Sequence, residues 1–164
     1  MRRAILQASA ALDRLARAIC TMAALVLVAT ILGNVVARYG FGTGSIAFQD
    51  LAGYAFAVFL IFSIPVCMAQ GGHVRVEVIS ERLSPRYLRS VDMLALIAFL
   101  IPAFGLLVWA WWPTLSYSWS ILEASVETGG LPGLFLVKTA LPVASVLMIV
   151  QGIAAVIGPG TTGE

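Results

Sequence analysis

Long runs of apolar residues alternate with short polar connections along this chain. Four of these runs, about 18–37, 46–68, 88–112 and 133–157, match the roughly 20 helical residues needed to cross a hydrocarbon core about 30 Å thick. In lipid, backbone polar groups must find their hydrogen-bond partners within the segment, so the runs are predicted to be helices. The pattern therefore predicts an all-α integral membrane protein with four transmembrane helices in a single membrane domain, 1–164.

A second periodic segment precedes the first apolar run. Its apolar residues recur at three- and four-residue steps, while most of its charges fall on other faces: Ile5, Ala8, Leu12, Leu15 and Ile19. This predicts an amphipathic helix over 3–17 that lies on the membrane surface before the chain turns into span one. The alternative is a short, frayed basic tail. At the other end of the chain, residues 158–164 are predicted to be a disordered tail.

The connection between spans two and three is charged and amphipathic. It reads "GGHVRVEVISERLSPR" at 71–86, with Val74, Val78 and Ile79 on one side of a helix. The pattern predicts a short interfacial helix, with a merely solvated loop as the alternative. Ser84 followed by Pro85 is typical of an N-cap and first turn, so the third span is predicted to begin there.

The third span is longer than a bilayer requires. Its helical character extends from about 88 to 112 and, on a longer interpretation, to residue 123, with Pro102 and Pro113 as predicted kinks. Four tryptophans gather toward its far end, as residues of an interfacial aromatic belt do. They are predicted to be membrane-interface anchors: Trp109, Trp111, Trp112 and Trp119.

Composition and charge agree with this picture and orient it. The chain is 60% hydrophobic and 11% charged, far from the roughly 25% charged content of an average soluble domain. Arginines cluster before span one and between spans two and three, whereas the other two connections hold only Arg38. By the positive-inside rule, both termini face the cytoplasm. Cys20 and Cys67 sit in apolar spans, so both are interpreted as small hydrophobic residues.

Few polar side chains accompany the spans, and each has a structural interpretation. Asn34 offers a side-chain hydrogen bond inside the bilayer. Arg38 and Asp50, on either side of a glycine-rich turn, are predicted to form an ion pair at the outer side, with a substrate site as the alternative. Lys138 is predicted to reach the headgroups or pair with a partner's acid, with a buried functional lysine as the alternative.

These residues argue against several kinds of chemistry. A haem-binding membrane subunit commonly uses histidines on facing spans, and the one histidine here, His73, lies outside them. A membrane hydrolase needs a base at membrane depth beside its nucleophile, and none is evident. An autonomous transporter acting as a homo-oligomer stays the alternative, although it should hold an ionisable group near mid-bilayer. We predict no enzymatic activity, cofactor, metal or nucleic-acid partner.

Four stretches resemble one family, in order and spacing, over nearly the whole chain. They are "NVVARYGFG" at 34–42, "FQDLAGYAF" at 48–56, the connection at 71–86 and "GGLPGLFLVKTALP" at 129–142. Together they resemble the small, DctQ-type membrane subunit of tripartite ATP-independent periplasmic (TRAP) transporters. One departure is that Phe48, Gln49 and Asp50 stand where the family often has a tryptophan and paired glutamates.

The resemblance implies a bacterial inner-membrane complex that imports organic acids with a sodium gradient. In such a complex a periplasmic solute-binding protein delivers the solute, transiently, to a large multi-span permease. The small subunit is expected to anchor and stabilise the permease within the membrane lipid without holding the substrate site. Its structural or subunit-interface candidates here are Asn34, Arg38, Asp50, His73, Arg75, Glu77 and Lys138.

Overall fold

Helices account for nearly all of the described chain. A computed structural model describes residues 2–70 and 85–157, with side chains described for 7–70 and 90–157. Within that part, four helices are long and apolar enough to cross a membrane, which confirms the predicted all-α class and the number of apolar spans. The elements are α1 (Arg2–Phe41), α2 (Ile46–Ala69), α3 (Pro85–Ala95), a π-helical stretch (Leu96–Leu100), α4 (Ile101–Ser120) and α5 (Leu134–Ile157).

The first helix corrects one prediction. Residues 3–17 are helical, but α1 is one continuous helix from Arg2 to Phe41, so the predicted turn into span one is absent. No glycine or proline occurs before Gly33 to interrupt it, and alanine and leucine favour helix throughout. Part of this segment packs on protein, since Ala16 is 2% exposed within the core and Leu12 packs against the same cluster, whereas Leu15 of the predicted apolar face is 58% exposed.

The third span consists of α3, the π-helical stretch and α4 in sequence. It begins at Pro85, the predicted first-turn residue, and ends at Ser120, short of the predicted extension to 123. The amide of Ile101 bonds the carbonyl of Leu96, a five-residue step, directly before Pro102. Proline lacks an N–H and its ring crowds the carbonyl four residues earlier, so a local π-helical widening relieves the conflict.

The last helix lies at the centre of the assembly. α1 packs along α2, and α5 lies between α2 and the third span. In the most apolar stretch of α5, 50% of residues are buried, compared with none in the third span. The main core cluster joins α1, α2 and α5: Ala16, Cys20, Phe62, Ala140, Ala144 and Leu147.

Both ends of the described chain lie at the same end of the helix assembly. Ser9, near the start of α1, bonds Gln151, near the end of α5. We call this the inner end and the opposite one, which holds Asp50 and the connection 121–133, the outer end, following the predicted orientation. The predicted interfacial helix between spans two and three and the tail 158–164 fall largely outside the described residues.

Candidate interaction site at the outer helix ends

The connection 121–133 is fastened over the first turns of α2. The Leu131 amide donates to Asp50 Oδ2 at 3.0 Å, and the Tyr54 hydroxyl donates to the Leu131 carbonyl at 3.0 Å. Asp50 and Tyr54 are four residues apart, so one face of α2 presents both to the same peptide segment. The Ser125 amide also donates to the Leu131 carbonyl, at 3.0 Å, which closes the connection on itself.

Glycines permit the tight path of this connection. Gly129 and Gly133 have φ values of 85° and 102°, which favour glycine because it has no Cβ. Gly130 is constrained by space instead, since a Cβ there would lie 2.5 Å from Ser125 Cβ and would overlap Asp50 Oδ2. The motif "GGLPG" therefore packs closely against α2, with no room for a side chain at Gly130.

A charged cluster joins the end of α4 to the start of α5. Lys138 Nζ lies 2.5 Å from Glu123 Oε2, and the buried Ser118 hydroxyl donates to the same oxygen. The donated hydrogen bonds of Lys138 and Ser118 hold the pKa of the Glu123 carboxyl below its usual range. Lys138 thus pairs with an acid of its own chain. Because α4 ends at Ser120, Glu123 and Glu127 do not continue one helical face.

The four tryptophans divide into two pairs. Trp119 Nε1 donates to Thr139 Oγ1 at 3.0 Å and its ring meets Phe135 edge-on, with centroids 4.8 Å apart. Trp111 Nε1 donates to the Lys138 carbonyl at 3.2 Å. These two indoles therefore tie α4 to α5. Trp109 and Trp112 are 76% and 62% exposed and point away from the other helices.

The predicted Arg38–Asp50 ion pair is not formed. The Asp50 carboxylate accepts a hydrogen bond from the Leu131 amide, and Arg38 is exposed, without a carboxylate partner among the described residues. The pair fails because α1 continues to Phe41 and carries Arg38 past the start of α2. Asn34 is half-buried, and its Oδ1 has no hydrogen-bond partner in the described structure.

The inner end carries a second polar connection between helices. Ser9 Oγ donates to Gln151 Oε1 at 2.6 Å, and Gln151 Nε2 donates to the Ser9 carbonyl at 3.2 Å. Both residues are buried, at 8% and 5% exposure. One turn further along α1, Asp13 and Arg17 form an ion pair at 2.6 Å.

Some residues of this site were not predicted from the sequence, and some predicted residues lie outside the described part of the chain. Tyr54 had a usable signal, its four-residue spacing from Asp50, whereas nothing in the pattern marked Ser118 or the backbone of Leu131. The candidates His73, Arg75 and Glu77 lie outside the described residues. Among residues 7–70 and 90–157, no three His, Cys, Asp or Glu side chains gather as metal ligands would.

The described polar contacts fasten helices to one another. Asp50, Tyr54, Glu123 and Lys138 hold the connection 121–133 against α2 and α5. In a comparison with protein families, the model described as "Tripartite ATP-independent periplasmic transporters, DctQ component" matches residues 27–159. No curated protein matches the chain.

Proposed function

Because the chain belongs to the DctQ component family of tripartite ATP-independent periplasmic transporters, we propose that it is a scaffold subunit of a sodium-coupled importer of organic acids. In this proposal a large multi-span permease carries the substrate and sodium sites, and a periplasmic binding protein delivers the solute. The small subunit anchors the fixed part of the permease in a bacterial inner membrane, with both of its own termini in the cytoplasm.

The exposure of two spans is the structural observation that carries the scaffold role. In their most apolar stretches, 6% of the residues of the first span and none of the third are buried within the chain. So much apolar surface is stable only against lipid or another membrane protein. A subunit built this way has broad faces for a permease and for lipid, and little enclosed interior.

The placement of ionisable groups supports locating transport in another subunit. Among the charged residues of the described spans, Arg38, Asp50 and Lys138 lie at the outer end, and Asp13, Arg14, Arg17 and Asp92 lie toward the inner end. Intramembrane ionisable groups are the usual mark of an ion or substrate pathway. Their concentration near the ends favours a subunit that supports a pathway lined by its partner.

The polar contacts at both ends of α5 suit a subunit that has to stay rigid. A moving transport domain needs a stationary neighbour, and α5 is fastened at the outer end through Lys138 and at the inner end through Gln151. The exposed indoles of Trp109 and Trp112 would add interfacial anchoring. For His73, Arg75 and Glu77, the expectation is that substitution weakens assembly or anchoring more than substrate affinity.

The first experiment is purification of the affinity-tagged protein from native membranes in mild detergent, followed by mass spectrometry of stoichiometric companions. Recovery of a large multi-span permease supports the scaffold role. Reconstituting that complex with its binding protein should then give uptake that depends on a sodium gradient, whereas the small subunit alone should be inert. Recovery of the protein alone, with solute uptake by liposomes containing only this chain, would establish the autonomous transporter instead.

A further inference from the structure

The third span touches the rest of the chain along one narrow stripe. Its three parts, α3, the π-helical stretch and α4, all pack against α5. Among residues 90–120, the buried ones are Leu96, Leu115 and Ser118, and most of the others are exposed. A rotation of either half of the span about its own axis would therefore turn the buried residues of that half away from α5.

The spacing of the two buried leucines does not fit a regular α-helix. Leu96 and Leu115 are 19 residues apart. Since about 18 residues make five full turns at 3.6 residues per turn, a regular α-helix would place the two side chains about 100° apart around the axis. Both are nevertheless buried, at 9% and 7% exposure, on a span that packs against α5. The helix between them therefore has to take up one residue more than an α-helix does.

The π-helical stretch, Leu96–Leu100, takes up that residue. There the Ile101 amide bonds the Leu96 carbonyl, a five-residue step in place of the four-residue step of an α-helix. The wider turn offsets the rotation of about 100° that one additional residue brings to an α-helix. Leu96 and Leu115 consequently lie on the same side of the span.

The contacts on both sides of the stretch depend on this alignment. On the inner side, the methyl groups of Leu96 and Leu100 lie against Gly152, where an added Cβ would come within 2.9 Å of Leu96 Cδ1. On the outer side, Trp111 Nε1 donates to the Lys138 carbonyl at 3.2 Å. A regular α-helix, which rotates the two halves by about 100° relative to each other, would break one of these two sets of contacts.

A proline alone does not account for the π-helical stretch. Pro102 follows the stretch directly, and its ring conflicts with a regular α-helix. However, Pro65, Pro113 and Pro142 lie inside α2, α4 and α5, and these helices continue as α-helices through them. Pro102 therefore favours the position of the widening, whereas the spacing of the buried leucines requires it.

We propose that the π-helical stretch is a one-residue insertion that sets the rotation of α4 on α5. It decides which face of α4 packs on α5, with Trp111 and Leu115, and which face points outward, with Trp109 and Trp112 at 76% and 62% exposure. The surface that the third span offers to its surroundings is thus determined by a turn that lies further inward in the same span. This proposal does not depend on the scaffold function.

Opposite one-residue changes within the stretch test the proposal. Every variant carries Pro102→Ala, which removes the proline as a variable, and Pro102→Ala alone is the reference. Deletion of Ile97, which is 58% exposed, shortens the separation of Leu96 and Leu115 to five α-helical turns, so a regular α-helix should keep both leucines on α5. Insertion of one alanine after Ile97 lengthens the separation instead, so a single π-helical turn no longer aligns them.

Cysteine crosslinking reports the rotation of both halves in one protein, with the two native cysteines replaced by alanine. One cysteine pair replaces Leu96 and Gly152 on the inner side, and the other replaces Trp119 and Thr139 on the outer side. Mass spectrometry of the linked peptides distinguishes the two crosslinks. The deletion should give both crosslinks at the yield of the reference, whereas the insertion should lose at least one.

Three results would overturn the proposal. The first is the loss of either crosslink in the deletion variant, including a deletion variant that does not fold. The second is the retention of both crosslinks in the insertion variant at the yield of the reference. The third is the absence of either crosslink in Pro102→Ala itself, because the contacts that define the register would then not depend on the π-helical stretch.

Discussion

Lys138 Nζ lies 2.5 Å from Glu123 Oε2, which joins the first turns of α5 to the connection that follows α4. Each side chain keeps about a fifth of its surface exposed, 23% and 22%. The pair is thus partly shielded from water and salt. Together with Ser118 it fixes the geometry of the outer end.

Glu123→Gln should lower the thermal stability of the subunit at neutral pH. The amide keeps the shape of the side chain but removes the negative charge to which Lys138 and Ser118 donate hydrogen bonds. Unfolding in detergent, followed by tryptophan fluorescence, measures the change. Glu127→Gln is the matched control, because that side chain is exposed on the same connection. Equal shifts for the two variants would contradict the assigned role.

The same pair predicts a dependence of stability on pH. The folded-state pKa of Glu123 is lowered. The contribution of its carboxylate to the free energy of unfolding is therefore fully present above the unfolded pKa of about 4.3, and it is lost as pH falls through the folded pKa. The wild-type melting temperature should therefore fall faster than that of Glu123→Gln as pH drops below about 4.3. Parallel curves for the two proteins would exclude this linkage.

Gly130→Ala should destabilise the outer end. The added Cβ would lie 2.5 Å from Ser125 Cβ and overlap Asp50 Oδ2, so the connection must shift away from α2. Overpacking of this kind costs about 1–3 kcal/mol. Gly44→Ala is the control, since nothing lies within 4 Å of its added Cβ and its φ is not positive. Faster proteolysis between 121 and 133 in Gly130→Ala alone is the expected readout.

The Ser9–Gln151 pair should show coupling in a double-mutant cycle. Ser9→Ala removes one hydrogen bond to a buried amide and should cost about 1 kcal/mol, within the range for interhelical bonds in membranes. Adding Gln151→Leu should recover part of the loss, because no buried polar group is then left unpaired. Ser63→Ala, which affects only a bond to the Leu60 carbonyl in the same helix, is the control. Strict additivity would mean that the two residues act independently.

Arg38 and Asp50 should behave as independent residues. Asp50→Ala should destabilise the subunit by about 1–3 kcal/mol, because it leaves the Leu131 amide without its acceptor. Arg38→Ala should leave subunit stability unchanged. The double variant should equal the sum, measured by chemical unfolding in detergent. A coupling free energy between Arg38 and Asp50 above about 0.5 kcal/mol would indicate that the predicted ion pair does form.

Gly152 should tolerate only a small side chain. Its added Cβ would lie 2.9 Å from Leu96 Cδ1 and 3.2 Å from the Leu100 methyl groups, which are flexible enough to yield slightly. Gly152→Ala should therefore be mild, whereas Gly152→Ile should separate the third span from α5 and lower the melting temperature clearly. Gly105→Ala meets nothing within 4 Å and should be neutral or stabilising.

Apolar run length and spacing were enough to predict the helices, because a span in lipid must satisfy its own backbone hydrogen bonds. Start and stop signals were less reliable. Pro85 does begin the third span, but the break expected near residue 17 is absent because the local helix propensity is uninterrupted. The kink expected at Pro102 is a π-helical widening directly before that proline, and Leu96 and Leu100 within it lie against Gly152.

By itself, the sequence determined the number of spans, the family through its motifs, and the small set of polar residues available to act. Only the tertiary structure decided which of them meet. Asp50 bonds Leu131, 81 residues away, and Lys138 finds Glu123 instead of a partner's acid. The physical reason is that lipid-facing and helix-facing surfaces are equally apolar, so sequence patterns assign helices without assigning their neighbours. Which polar residues pair depends on the register and the length of the helices, and both are fixed only when the helices pack.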